Sequence, residues 1–141
     1  MGFGSRIMRE KPLILIVDDD RDFQEVLATK FKASGFDVVL ASDGEESISK
    51  TKEAKPDVIL MDVKMPKMDG ITAMLKIKED ASAKGIKIIL LTAFGDPQPD
   101  TYKFDKKLAE DLGAVEYMLK SEDLSKIVER VKSLSSNSQN H

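Results

Sequence analysis

Asp62 closes an apolar run, Val58-Ile59-Leu60-Met61, and opens the stretch Asp62-Val63-Lys64-Met65-Pro66. A carboxylate at the carboxyl edge of a buried strand can serve as a nucleophile or as a metal ligand. A second such edge lies upstream, where Leu13-Ile14-Leu15-Ile16-Val17 runs into Asp18-Asp19-Asp20. Two further apolar runs end in polar residues. Ile88-Ile89-Leu90-Leu91 ends at Thr92, and Val115-Glu116-Tyr117-Met118-Leu119 ends at Lys120. If these strands lie side by side and parallel, three acids, a hydroxyl and an amine meet at one edge. That set suits a divalent metal and a phosphoryl group.

Taken singly, each residue has a plainer reading. An Asp after a strand is ordinarily a turn or cap residue, and Asp20 is read as a helix cap. Lys120 alone would be a surface lysine, and Thr92 alone a strand-end hydroxyl. Three residue types at four strand ends, in this order and spacing, carry the argument.

The elements that must position them alternate. Short apolar runs at residues 13–17, 36–40, 57–61, 86–91 and 114–119 read as strands. They are nearly continuous in Val, Ile and Leu, as strands buried on both faces are. Helical patterns lie between them. The first carries Phe23, Val26, Leu27 and Phe31 and stops at Gly35. The second follows Asp43-Gly44-Glu45-Glu46 and ends before Pro56. Asp69 caps a third, with Ile71, Met74, Leu75 and Ile77 inward. Asp100 caps a fourth, carrying Tyr102, Phe104, Leu108 and Leu112 before Gly113. The last starts near Ser121, with Glu122 and Asp123 favourable at its N-terminus. Its inward face is Leu124, Ile127, Val128, Val131 and Leu134. Five strands alternating with five helices predict an α/β fold, a doubly wound parallel sheet with right-handed crossovers. Ligands of such sheets bind beyond the carboxyl ends of the strands, the side on which every candidate residue falls.

Composition bounds the rest. The chain has 141 residues, one domain by size. The domain is placed at 11–134, with 1–10 and 135–141 as flexible termini. The polar stretch Ser133 to His141 is expected to be disordered. Met1-Gly2-Phe3-Gly4-Ser5 is set aside from the fold reading. No apolar run approaches the ~20 residues of a membrane span, and no secretory signal is read. Without cysteine there is no disulfide framework and no thiolate metal site, which agrees with a cytoplasmic location. The 22 basic and 25 acidic residues give a net charge of −3, which argues against direct nucleic-acid binding. The single histidine, His141, is read as a tail residue rather than a ligand.

The joint pattern of Ile16-Val17-Asp18-Asp19, Asp62 followed by Met65-Pro66 and Asp69-Gly70, Thr92-Ala93 and Lys120 resembles the receiver domain of two-component response regulators. The resemblance covers roughly residues 11 to 134. It implies a flavodoxin-like (βα)5 fold with strand order 2-1-3-4-5. It implies Asp62 as phosphoacceptor, with Asp19, Asp62 and the Lys64 backbone carbonyl on Mg²⁺ or Mn²⁺ and Asp18 acting through bound water. Thr92 and Lys120 would bind the phosphoryl group, and Tyr117 matches the aromatic switch position. Lys64 and Phe94 match positions that tune dephosphorylation. The implied partners are a histidine kinase or histidine phosphotransfer protein and a downstream protein target, reached through the face of the fourth helix, fifth strand and fifth helix. Homodimerisation through that face is left open. The chain would be no enzyme beyond its own phosphorylation and dephosphorylation.

Two departures from the family pattern stand out. Ser121 follows Lys120 where the family usually has proline. The segment Phe94-Gly95-Asp96-Pro97-Gln98-Pro99-Asp100 is longer than usual, and its prolines and glycine predict an irregular loop. Three other functions compete. A pseudo-receiver would bind proteins with a vestigial pocket. An aspartyl phosphohydrolase of the haloacid-dehalogenase type would carry an acid where this chain has Lys64. A nucleotide switch would need a Gly-rich phosphate loop, which is missing.

Overall fold

The computed structural model describes residues 9–93 and 99–139. Its centre is a run of strands buried to their last residue. Leu13–Val17 (β1) and Val58–Asp62 (β3) are buried at every position, and Asp37–Ala41 (β2), Lys87–Thr92 (β4) and Glu116–Leu119 (β5) flank them. All pair in parallel, in the order β2-β1-β3-β4-β5. This is the flavodoxin-like topology that the family resemblance implies. Each strand after β1 begins one or two residues later than the apolar runs suggest, so Asp62 is the final residue of β3 rather than its successor.

Alternate residues of each strand feed two separate cores, as period-two geometry requires. Ile14, Ile16, Leu60, Ile89 and Leu91 face Leu27, Phe31, Ile127 and Val131. These last come from Arg21–Ala33 (α1) and Leu124–Gln139 (α5). Leu15, Ile59, Met61, Ile88 and Leu90 face Met74, Ile77 and Ala109. The covering helices on that side are Gly44–Ala54 (α2), Gly70–Lys78 (α3) and Pro99–Asp111 (α4). Asp20, Asp43 and Asp69 cap α1, α2 and α3, each accepting from the backbone N–H three residues on. Gly35, at φ +97, continues past the end of α1 in a conformation open to glycine.

Five sequence expectations change. Leu75 and Leu108 are 39% and 44% exposed, and Ala73 and Ala109 take the buried positions instead. Small residues sit there because both helices lie close against the sheet. Helix α4 begins at Pro99, so Asp100 is inside it rather than capping it; proline suits a first helical turn. Residues 94–98 of the long segment lie outside the described residues. Helix α5 begins at Leu124, not near Ser121. Glu122 N donates to Leu119 O and keeps the chain in a turn, and Asp123 accepts from Ser125 N at 2.8 Å. The polar tail is helical through Gln139, with Ser135 buried, instead of disordered from residue 133. Arg9 is tied down as well, donating to Ala54 O and Lys55 O at the end of α2 and to Asp57.

Candidate functional site

The site forms where β1 and β3 end. Asp18 leaves β1 buried, its N–H donating to Ala41 O at 3.1 Å. Its Oδ1 accepts from Asp20 N at 2.8 Å, which sets the start of α1. Asp19 is exposed and Asp62 is 3% exposed. One carboxylate oxygen from each of Asp18, Asp19 and Asp62 lies within 4.8 Å of the others. The peptide after Asp62 is fixed on both sides: Val63 N donates to Leu91 O, and Gly70 N donates to Val63 O. Gly70 is needed for that approach, because a Cβ there would collide with the Asp62 carbonyl oxygen.

Lys120 arrives from the carboxyl end of β5. Its N–H extends the β4–β5 ladder to Thr92 O at 2.8 Å. Its ammonium then reaches Asp18 Oδ2 at 2.9 Å and Asp62 Oδ2 at 3.6 Å. No cis peptide occurs among the described residues, so the Lys120–Ser121 bond is trans and the lysine reaches the pocket without proline. Thr92 ends β4 at the same edge, half-buried. Asp18, Asp19, Asp62 and Lys120 are therefore brought together, with Thr92 at the end of the strand beside them. Lys64 lies in the loop after Asp62 with an exposed side chain. Tyr117 is 5% exposed on β5 opposite Leu90, so its ring is already inside. Phe94 lies outside the described residues.

The electrostatics are unsettled. Burial, and next the charge of Asp18, push the Asp62 carboxyl from 3.8 up to about 7, against the pull of Lys120. Asp62 Oδ1 is buried without a hydrogen-bond partner. Burial works against the Lys120 charge, but the Asp18 hydrogen bond and the charges of Asp62 and Asp18 outweigh it and hold its pKa above the usual lysine range. Three carboxylates facing one ammonium, with an orphaned oxygen among them, are a donor set that fits a hard divalent cation.

Sequence reasoning missed two neighbours. Gln24 is buried and donates to Ile16 O at 3.1 Å and Ala41 O at 2.7 Å, joining α1 to the β1 and β2 ends. The spacing Gln24, Leu27, Ala28, Phe31 places it on the apolar stripe, a signal that could have found it. Phe23, read only as core, has its ring 4.7 Å below the Lys120 ammonium. That contact has no signature in sequence.

A parallel sheet of this order, with its acids at the switch point between β1 and β3, defines the receiver class of flavodoxin-like domains. The model of the response regulator receiver domain family matches residues 14–132, and the chain belongs to that family. It is 37% identical over 121 residues to the alkaline phosphatase synthesis transcriptional regulatory protein PhoP of Bacillus subtilis, a match covering 86% of this chain and 47% of that protein. It is 32% identical over 123 residues to the DNA-binding dual master transcriptional regulator RpaA of Synechocystis, covering 87% and 48%. Among solved structures, the receiver domain of a Francisella response regulator superimposes with a TM-score of 0.79 at 26% identity, covering 92% of this chain and all of that one. The chain thus spans about half the length of the curated relatives it matches. Since those relatives are named as transcriptional or DNA-binding regulators, the expectation of no nucleic-acid partner, which rested on charge alone, is withdrawn. Among the described residues no helix is long and apolar enough to cross a membrane.

Proposed function

We propose that this chain is a phosphorylatable switch in which Asp62 accepts a phosphoryl group from a phosphohistidine on a kinase or phosphotransfer protein. The convergence of Asp18, Asp19 and Asp62 on one pocket, with Lys120 beside them, carries this reading. An Asp62 oxygen forms the new bond to phosphorus. The phosphorus–nitrogen bond of the donor breaks, and its electron pair stays on the imidazole, which takes up a proton. Asp19, Asp62 and the Lys64 backbone carbonyl would hold Mg²⁺ or Mn²⁺ directly, with Asp18 acting through water. The bound ion supplies charge neutralisation between the carboxylates and the incoming phosphoryl oxygens. Lys120 neutralises a phosphoryl oxygen as a point charge, and Thr92 donates a hydrogen bond to another.

The phosphoryl group adds a charge of about −1.5 to −2. Thr92 is drawn toward it, and Tyr117, already buried, is held in its inward position by the space Thr92 vacates. The face formed by α4, β5 and α5 then shifts in population toward the form its protein target prefers. Lys64 and Phe94 lie two residues beyond Asp62 and Thr92 in sequence, and self-dephosphorylation is slow, on a scale of many minutes or longer; loss within seconds would overturn that. Incubation with phosphoramidate and Mg²⁺ followed by intact mass measurement tests the whole reading. The wild-type protein gains the mass of one phosphoryl group and Asp62→Asn gains none. No gain in the wild type would favour a vestigial, protein-binding pocket.

A further inference from the structure

Phe23 stands in the first turn of α1, where its N–H donates to Asp20 Oδ1 at 3.2 Å. Asp20 N in turn donates to Asp18 Oδ1 at 2.8 Å. The other oxygen of Asp18 receives Lys120 Nζ at 2.9 Å, and that ammonium lies 4.7 Å from the centre of the Phe23 ring. Backbone, carboxylate, ammonium and ring therefore close a loop that starts and ends at Asp18. The ring is half-buried and packed on the apolar layer between α1, α5 and the sheet. Its position is set by the helix start and by that layer together.

We propose that Phe23 is a positioning residue: its ring face forms a wall of the acidic pocket that confines the Lys120 ammonium beside Asp62. This rests on the phosphoacceptor reading given above. The physical reason is donor economy. An ammonium has three N–H donors and no acceptor. A carboxylate or amide at position 23 would occupy one of them. An aromatic face attracts the charge through its quadrupole and takes no directional hydrogen bond. The donors stay turned toward Asp18, Asp62 and any phosphoryl oxygen between them. A lysine confined in that way needs little reorganisation when charge develops beside Asp62. It can also slide across the ring from Asp18 to a phosphoryl oxygen without breaking a bond to the wall.

The test replaces Phe23 with mono-, di- and trifluorophenylalanine, which keep the shape and progressively cancel the quadrupole, and with leucine. The rate of phosphorylation by phosphoramidate at saturating Mg²⁺ falls stepwise along the fluorinated series, and about three- to tenfold for Phe23→Leu. Thermal stability of the fluorinated proteins stays constant. The Lys120 ε-methylene protons resonate upfield of those of other lysines in the wild type and return to the ordinary position in Phe23→Leu. A flat rate across the series, or ε-methylene protons at the ordinary position in the wild type, overturns the proposal. Absence of any phosphorylation in the wild type is a different result: it removes the phosphoacceptor reading, and the role of Phe23 with it.

Discussion

Replacing Asp62 by asparagine is expected to stabilise the metal-free protein, although it destroys the proposed reactive group. The Asp62 carboxyl titrates near 3.8 in an unfolded chain and at about 7 in the folded one. The folded state therefore holds that proton more tightly. The corresponding stability is fully present below the unfolded value and is lost as pH rises through about 7. A shift of roughly three units at about 1.4 kcal/mol each sets an upper bound of about 4 kcal/mol on the cost of ionised Asp62 at pH 8. Solvent screening and local relaxation reduce what an experiment recovers to about 1–3 kcal/mol. Asparagine keeps the shape and can donate to the neighbouring carboxylates. Urea unfolding at pH 8 in chelator should show Asp62→Asn more stable by that amount. At pH 5.5 folded Asp62 is protonated while the unfolded chain still ionises it, so the gap should fall to about half its pH 8 value, closing only as pH approaches 3.8. Added Mg²⁺ should close it at pH 8 as well, since a ligand at ten times its Kd stabilises the wild type by about 1.4 kcal/mol. A variant less stable than wild type at pH 8 in chelator, or a gap indifferent to pH, would refute the electrostatic account.

Three other perturbations test separate parts of the site. Lys120→Met removes the ammonium that holds Asp18 at 2.9 Å, so calorimetry should show Mg²⁺ binding tighter by about three- to tenfold, because a competing charge has gone; weaker binding would contradict that. Gly70→Ala places a methyl against the Asp62 carbonyl oxygen and should cost about 1–3 kcal/mol in urea unfolding while weakening Mg²⁺ binding. Gln24→Leu removes both donors to Ile16 O and Ala41 O, and should lower stability by about 1–3 kcal/mol and speed amide exchange where β1 and β2 end.

The fold was legible because its strongest determinants are local. Continuous runs such as Leu13–Val17 and Val58–Asp62 are buried on both faces, and only a covered parallel sheet accommodates them. Strand ends were less so, since the ladder to a neighbour decides them and the neighbour is distant in sequence. Helix faces failed where size mattered more than polarity. Ala73 and Ala109 are buried and Leu75 and Leu108 exposed, because close helix–sheet approach favours the smaller side chain. Ser121 and Asp123 are both good caps. The hydrogen bonds from Lys120 N to Thr92 O and from Glu122 N to Leu119 O hold the chain in a turn until Asp123. The tail reads as disordered from its Ser and Asn content, yet Val131, Leu134 and Ser135 continue the stripe of α5 against the core. Within the site, residue types at strand ends were readable. The contact between Phe23 and Lys120 was not, since no spacing rule links the first helix to the last loop.

The charge count of the pocket explains why such a site can switch. Three carboxylates face one ammonium, which leaves an excess of two negative charges near a buried oxygen without a partner. The pocket therefore stores repulsion in the folded state, which adds to burial, the larger cause, in raising the Asp62 pKa. A divalent cation relieves it; on the proposed reading a phosphoryl group then restores about the same excess, and Lys120 is the movable charge near enough to answer it. Lys120 is bonded to Thr92 through the backbone, and Thr92 and Tyr117 sit on the paired strands β4 and β5. On the proposed reading, a redistribution of charge at Asp62 would reach Thr92 and Tyr117 through Lys120, while Asp18, Asp20 and Gln24 fasten β1 to α1.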